Sequence, residues 1–188
     1  MGSVFNVKDD AQLVRDAQAG DADALGQLIE RYQDRLYRCM IQVIGSPHEA
    51  LDVLQDTFIQ MLGKIDTLKD PQHFFTWLYR IAFNRAMTKQ RNKRPTVSID
   101  HENSNLAHEV EDTQPAADEQ LQSDELQRQV LAAVARLDEP FRQVIILREM
   151  EDLDYETIAE ILEVSVGTVR SRLHRARSQL RDAIRIDM

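Results

Sequence analysis

Apolar residues recur along most of this chain at intervals of three and four, the spacing that gathers them on one stripe of an α-helix. One stripe runs Leu25, Leu28, Ile29, Tyr32, Leu36, Met40 and Val43; the next runs Leu51, Leu54, Phe58, Met61, Leu62 and Ile65, all expected to face inward. The punctuation between them agrees. A first helix near Ala11–Ala19 stops at Gly20, and Ser46-Pro47-His48-Glu49 supplies an N-cap, a first-turn proline and a capping-box glutamate. Asp70-Pro71 repeats the cap and proline before a fourth helix. On that helix Phe74, Phe75, Leu78, Ile81 and Ala82 form the core side, whereas Trp77, Arg80, Asn84, Met87 and Arg91 fall opposite at ~100° per residue. Arg85 falls on the core side, from which its head is expected to snorkel to solvent. Four such helices predict a small bundle.

The pattern then breaks. From Pro95 the chain is polar and acidic with no apolar period of either kind, a composition that reads as a linker and exceeds the ~12–15 residues usual for a structureless loop. Helical periodicity resumes beyond it. Asp154 can cap a short helix burying Ile158, Ala159 and Leu162; after a tight turn, Ser165 can cap a second helix burying Val169, Leu173, Ala176 and Leu180. Two capped helices across a short turn, with a small Ala159 at their crossing, make a helix-turn-helix. Glu163 stands in that turn, which must therefore avoid a left-handed residue or carry strain of roughly 1 kcal/mol. No alternating β-branched run is long enough to demand a sheet. The expected fold is all-α: two small helical domains, a four-helix bundle over 1–94 and a helix-turn-helix domain over 123–188, joined by a flexible acidic linker at 95–122.

Charge sharpens this division. The net charge of −9 argues against nucleic acid until it is located: residues 95–127 hold nine Asp/Glu and no Lys/Arg, so the excess sits there. Residues 71–94 hold six basic and no acidic side chains, and residues 164–186 hold six arginines against Asp182 alone. Both stretches are candidate phosphate-facing surfaces. The last helix turns Gly167, Ser171, His174, Arg175 and Ser178 away from its core, flanked by Thr168, Arg170, Arg172, Arg177 and Arg181. Small, hydroxyl and arginine residues together suit a major groove, where arginine grips phosphate or pairs with guanine through two hydrogen bonds. An ordinary hairpin with a solvated basic face has the same periodicity; the scarcity of acids argues against it. The aromatic, amide and arginine face of the fourth helix suits unstacked bases better than smooth duplex. For Trp77 core packing and base contact fit equally well.

Other chemistry finds little support. At 188 residues and 43% hydrophobic, the chain has the composition of a globular protein with no apolar run long enough to span a membrane and no secretory leader, and a cytoplasmic location is expected. Cys39 alone can form neither an internal disulfide nor a thiolate metal site, and the five histidines lie far apart, so no metal or cofactor is expected. No phosphate-cradling, dinucleotide-binding, metalloprotease or serine-hydrolase signature occurs, which leaves catalysis without a template.

Three segments carry a resemblance. ALDVLQDTFIQML is similar to the core-polymerase docking helix of the bacterial extracytoplasmic-function (ECF, group IV) sigma factors of the sigma-70 family; FFTWLYRIAFNRA resembles their promoter-melting helix, and GTVRSRLHRAR their upstream-element recognition helix. Their order and the intervening linker match as well. The resemblance implies a non-enzymatic subunit that directs core RNA polymerase to promoters and assists strand opening. Asp52, Gln55 and Asp56 would meet polymerase. The loop Thr67–His73 would receive a flipped base together with Arg80, Asn84 and Thr88, with Trp77 and Arg91 on the same helix. Arg170, Ser171 and His174 would read the upstream element, with Arg172, Arg175 and Arg177 on or near phosphates and Thr168 in the same DNA-binding face. Core RNA polymerase, duplex and single-stranded promoter DNA and an anti-sigma factor are the implied partners, and the linker would occupy a polymerase channel or shield the arginine faces. Two other readings fit the residues: a stand-alone helix-turn-helix regulator binding duplex as a dimer, and an interaction protein that never touches DNA.

Overall fold

The computed structural model describes residues 9–93 and 128–186; the segment expected as a linker lies outside them. Most of the helices start where a short polar side chain takes a backbone N–H that has no partner within the helix. Asp9 accepts from Gln12 N–H at 2.7 Å and opens α1, Asp10–Gln18. Asp21 accepts from Asp23 and Ala24 and opens α2, Ala22–Ile44, which ends on Gly45 at φ 80°. Ser46 and Pro47 open α3, Pro47–Lys64, followed by a 3-10 turn over Ile65–Thr67. Asp70 caps a second short turn, Pro71–His73, that runs directly into α4, Phe74–Lys93.

Past the undescribed stretch, α5 occupies 128–136, and α6, Glu139–Ile145, continues as a π turn over Ile146–Met150. Asp154 accepts from Thr157 N–H at 2.7 Å at the head of α7, Tyr155–Leu162. Ser165 Oγ accepts from Thr168 N–H at 3.1 Å at the head of α8, Val166–Ile186. No strand occurs among the described residues, as the periodicity required. Between α7 and α8, Glu163 takes the left-handed conformation at φ 55°, ψ 44°, so the turn adopts the strained alternative rather than avoiding it.

The N-terminal helices close over Leu13, Leu28, Leu36, Met40, Met61, Phe74 and Leu78, and the C-terminal ones over Ile146, Leu147, Ile158, Ile161, Val169 and Leu173. Fully burying each such side chain is worth about 1.5–3 kcal/mol. The two groups are not separate: α7 lies on α4, the π turn lies against α2, and one continuous apolar core joins them. The sequence patterns predicted independent modules and held no sign of this packing. It explains why α4 buries Tyr79, Phe83 and Ala86 in addition to its predicted stripe, for α4 has neighbours on two sides.

Glu151, directly after the π turn, marks the polar centre of the junction. Its carboxylate accepts from Arg35 Nε at 2.6 Å and from the Tyr79 hydroxyl at 3.0 Å, while the Arg35 guanidinium sits 4.9 Å from the centre of the Phe75 ring. Burial, first of all, pushes the Tyr79 phenol and the Cys39 thiol well above their ordinary pKa values. One expectation fails here: Leu51 and Leu62, assigned to the α3 core stripe, are 45% and 48% exposed. Arg85, expected to carry its head from the core side to solvent, is exposed and donates to Gln60 Oε1 of α3 at 2.8 Å.

Candidate nucleic-acid interface

Three helices each leave one face open. On α3 the core residues Val53, Leu54, Phe58 and Met61 occupy one side, and at ~100° per residue Gln55 and Ile59 project from the other. Leu51 and Leu62 flank this open line on one edge, Asp52 and Asp56 on the other. Ile59 is 69% exposed, so the face is an apolar ridge beside an acidic one. An exposed apolar line of this kind signals a contact with another macromolecule. Lys89 of α4 reaches Asp52 Oδ2 at 2.6 Å, and His48 Nδ1 stands 3.7 Å from the same oxygen. The hydrogen bond from Lys89 holds the Asp52 carboxyl below the usual carboxylate range.

On α4 the buried arc covers more than half the circumference, yet it leaves the predicted face intact. Asn84, Thr88 and Arg91 are exposed, and Trp77 and Arg80 are half-buried. Trp77 packs in part, its ring 6.1 Å from Phe74 and tilted by 40°, and the rest of it meets solvent. Thr88 donates its hydroxyl to Asn84 O at 2.8 Å, which turns its remaining capacity into that of an acceptor. Ahead of the helix, Thr67, Lys69, Asp70, Gln72 and His73 are exposed around the buried Leu68. Asp70 accepts from Gln72 N–H at 3.0 Å and lies 2.9 Å from His73 Nδ1; the first of these contacts chiefly lowers its pKa.

On α8, Arg170, Ser171, His174 and Arg175 are exposed, while Thr168 and Arg172 are half-buried. The Thr168 and Ser165 hydroxyls are 2.8 Å apart, and Ser171 donates to Thr168 O at 3.0 Å. Arg177, also exposed, donates to Glu149 Oε1 from Nε at 3.1 Å and from Nη2 at 2.7 Å. A sequence window on α8 alone could not reveal this, because Glu149 belongs to the π turn. The missed members of these faces are Ile59, Leu51 and Leu62, whose exposure is signalled only by an apolar set too wide for one core stripe.

Among the described residues, no three His, Cys, Asp or Glu side chains gather as a metal cage, and no helix is long and apolar enough to cross a membrane. His101 and His108 lie outside the described residues.

A basic helix-turn-helix and a second basic helix with an aromatic on its open face define a class of two-part nucleic-acid-binding protein. Comparison with known proteins gives the family. The family model for Sigma-70 region 2 matches residues 28–96, and that for Sigma-70, region 4 matches residues 127–180. The chain is 38% identical over 181 residues to the ECF RNA polymerase sigma-E factor of Haemophilus influenzae, covering 93% of this chain and 95% of that one. It is 33% identical over 177 residues to the ECF RNA polymerase sigma factor SigW of Bacillus subtilis, covering 92% and 95%. A solved structure of CnrH in complex with the cytosolic domain of CnrY superposes with TM-score 0.70 at 27% identity over 95% of this chain and 99% of that one. The chain belongs to the ECF RNA polymerase sigma factors of the sigma-70 family.

Proposed function

We propose that the chain guides core RNA polymerase to its promoters through three separate faces and performs no bond chemistry of its own. The α3 face docks on polymerase through Asp52, Gln55 and Asp56 with the apolar ridge of Leu51, Ile59 and Leu62. The α4 face, with Trp77, Arg80, Asn84, Thr88 and Arg91 and the loop ahead of it, takes an extruded base of the parted strand and so offsets a few kcal/mol of unstacking. The α8 face reads duplex in the major groove through Arg170, Ser171 and His174, with Thr168, Arg172 and Arg175 on or near phosphates. Arg177 joins them only by leaving Glu149.

The observation that carries this reading is that three helices each turn one face away from a shared core, two of them basic and one apolar and acidic. Residues 1–94 and 123–188 serve as the two binding units and 95–122 as their connection, and the protein works in the cytoplasm with polymerase. An anti-sigma factor is a further partner in this reading; the similar CnrH, 27% identical, is solved in complex with the cytosolic domain of CnrY.

The test is reconstituted transcription from a genomic promoter library with core polymerase, with and without this chain. Transcripts from a discrete promoter set are expected only in its presence. Ile59→Asp, which removes an apolar contact worth about 1.5–3 kcal/mol when buried, is expected to weaken polymerase association at least tenfold in a chain that remains folded. Absence of both association and transcripts from every template would overturn the proposal.

A further inference from the structure

Gln18 ends α1 and, in sequence, looks like any polar residue on the last turn of a short helix. Its side-chain amide, part-buried, donates to two backbone carbonyls between α3 and α4: Ile65 O at 2.9 Å and Leu68 O at 2.9 Å. Those carbonyls bracket Asp66 and Thr67. Ile65 O also accepts from Leu68 N–H at 3.1 Å, and Thr67 donates its hydroxyl to Lys64 O at 2.7 Å, so the first arm of the segment is a closed turn tied to α1. The second arm is held by Asp70 through Gln72 N–H and His73 Nδ1. Between the two arms Leu68 is buried, and the polar side chains face outward at the head of α4, one turn before Trp77.

We propose that Gln18 is a positioning residue for base discrimination on the parted strand. It fixes the loop Thr67–His73 in the conformation that accepts an extruded base, and it touches no DNA itself. This rests on the base-capturing role proposed above for that loop. A base out of its stack is told from the other bases only by donors and acceptors placed before it arrives. A loop that has to be ordered by the base loses affinity for the matching base, and the mismatched bases, which gain nothing from the ordered loop, bind about as before. An amide suits the task because its nitrogen offers two donors to two carbonyls without burying a charge.

The experiment uses the full chain bound to core polymerase. Fluorescent oligonucleotides with a duplex upstream element and a single-stranded downstream element carry each of the four bases in turn at every parted position, and the readout is the affinity ratio of best to worst base. Gln18→Met keeps the length and removes the donors. It is expected to lower that ratio about tenfold, equivalent to 1.4 kcal/mol, with the affinity for the worst base unchanged within about twofold. A folded Gln18→Met chain that keeps the wild-type ratio, or weakens all four bases equally, overturns the proposal. A wild-type ratio near one at every position refutes instead the capture of a base by the loop. Should Gln18→Met fail to fold, Gln18→Glu, which keeps the size and presents acceptors to both carbonyls, decides by the same ratio.

Discussion

Replacing Glu151 with alanine should loosen the packing of the C-terminal helices on the N-terminal ones, and the magnitude follows from its partners. The Glu151 side chain is 8% exposed and accepts from both Arg35 and Tyr79. Without it the part-buried Tyr79 hydroxyl has lost its acceptor, a loss of about 1–3 kcal/mol. The ion pair adds less, about 0.2–1 kcal/mol, because the Arg35 side chain is 45% exposed and its charge is well screened. The Arg35 Nη2 contact with Glu151 O at 3.3 Å is made to the backbone and survives the substitution. Together these give about 1–4 kcal/mol, a shift of roughly 5–1000-fold in the ratio of docked to separated forms. Glu151→Gln leaves Tyr79 an acceptor and should shift the ratio by about 1 kcal/mol or less. Fluorophores at Lys64→Cys and Gln179→Cys, both exposed and on opposite sides of the junction, would report separation by energy transfer across a urea series. The midpoint should fall in Glu151→Ala, and Tyr79→Phe combined with Glu151→Ala should weaken docking by less than the two alone added together. Identical transfer curves for Glu151→Ala and the parent would refute this account of the junction.

Glu163→Gly should raise the thermal midpoint by a few °C, since glycine relieves a left-handed backbone strain of about 1 kcal/mol; calorimetry showing a fall would contradict the strain. Asp154 gives a pH-dependent test. The Thr157 N–H bond chiefly lowers its pKa, so its folded value lies below the unfolded one of about 3.9. Its contribution is therefore complete above that pH and is lost as the pH falls through the folded value. Asp154→Asn keeps the cap and removes the titration, so the unfolding free energy of the variant should decline less steeply below about pH 4; parallel curves by circular dichroism would exclude this source.

Secondary structure and the exposed faces of α4 and α8 were legible in the chain because they depend on local rules. A cap such as Asp21, Ser46 or Asp154 satisfies N–H groups within its own next turn. A stripe such as Leu28, Tyr32, Leu36 and Met40 needs only the helical repeat to become a core. The exposed arc of Asn84, Thr88 and Arg91 is the complement of such a stripe. The same logic placed Leu51 and Leu62 inside, and there it failed. Periodicity says which residues share a face, not how wide a strip the neighbouring helices cover.

Whatever joins residues distant in sequence was left to the tertiary structure. The amide of Gln18 finds the Ile65 and Leu68 carbonyls, Arg177 finds Glu149, and Arg35 and Tyr79 find Glu151 across the junction of the two halves. No local pattern encodes these pairs, because polar side chains are compatible with water until packing removes it. Once α7 settles on α4, a carboxylate shut away from solvent has to be hydrogen-bonded, and the fold alone determines which groups are near enough to do so.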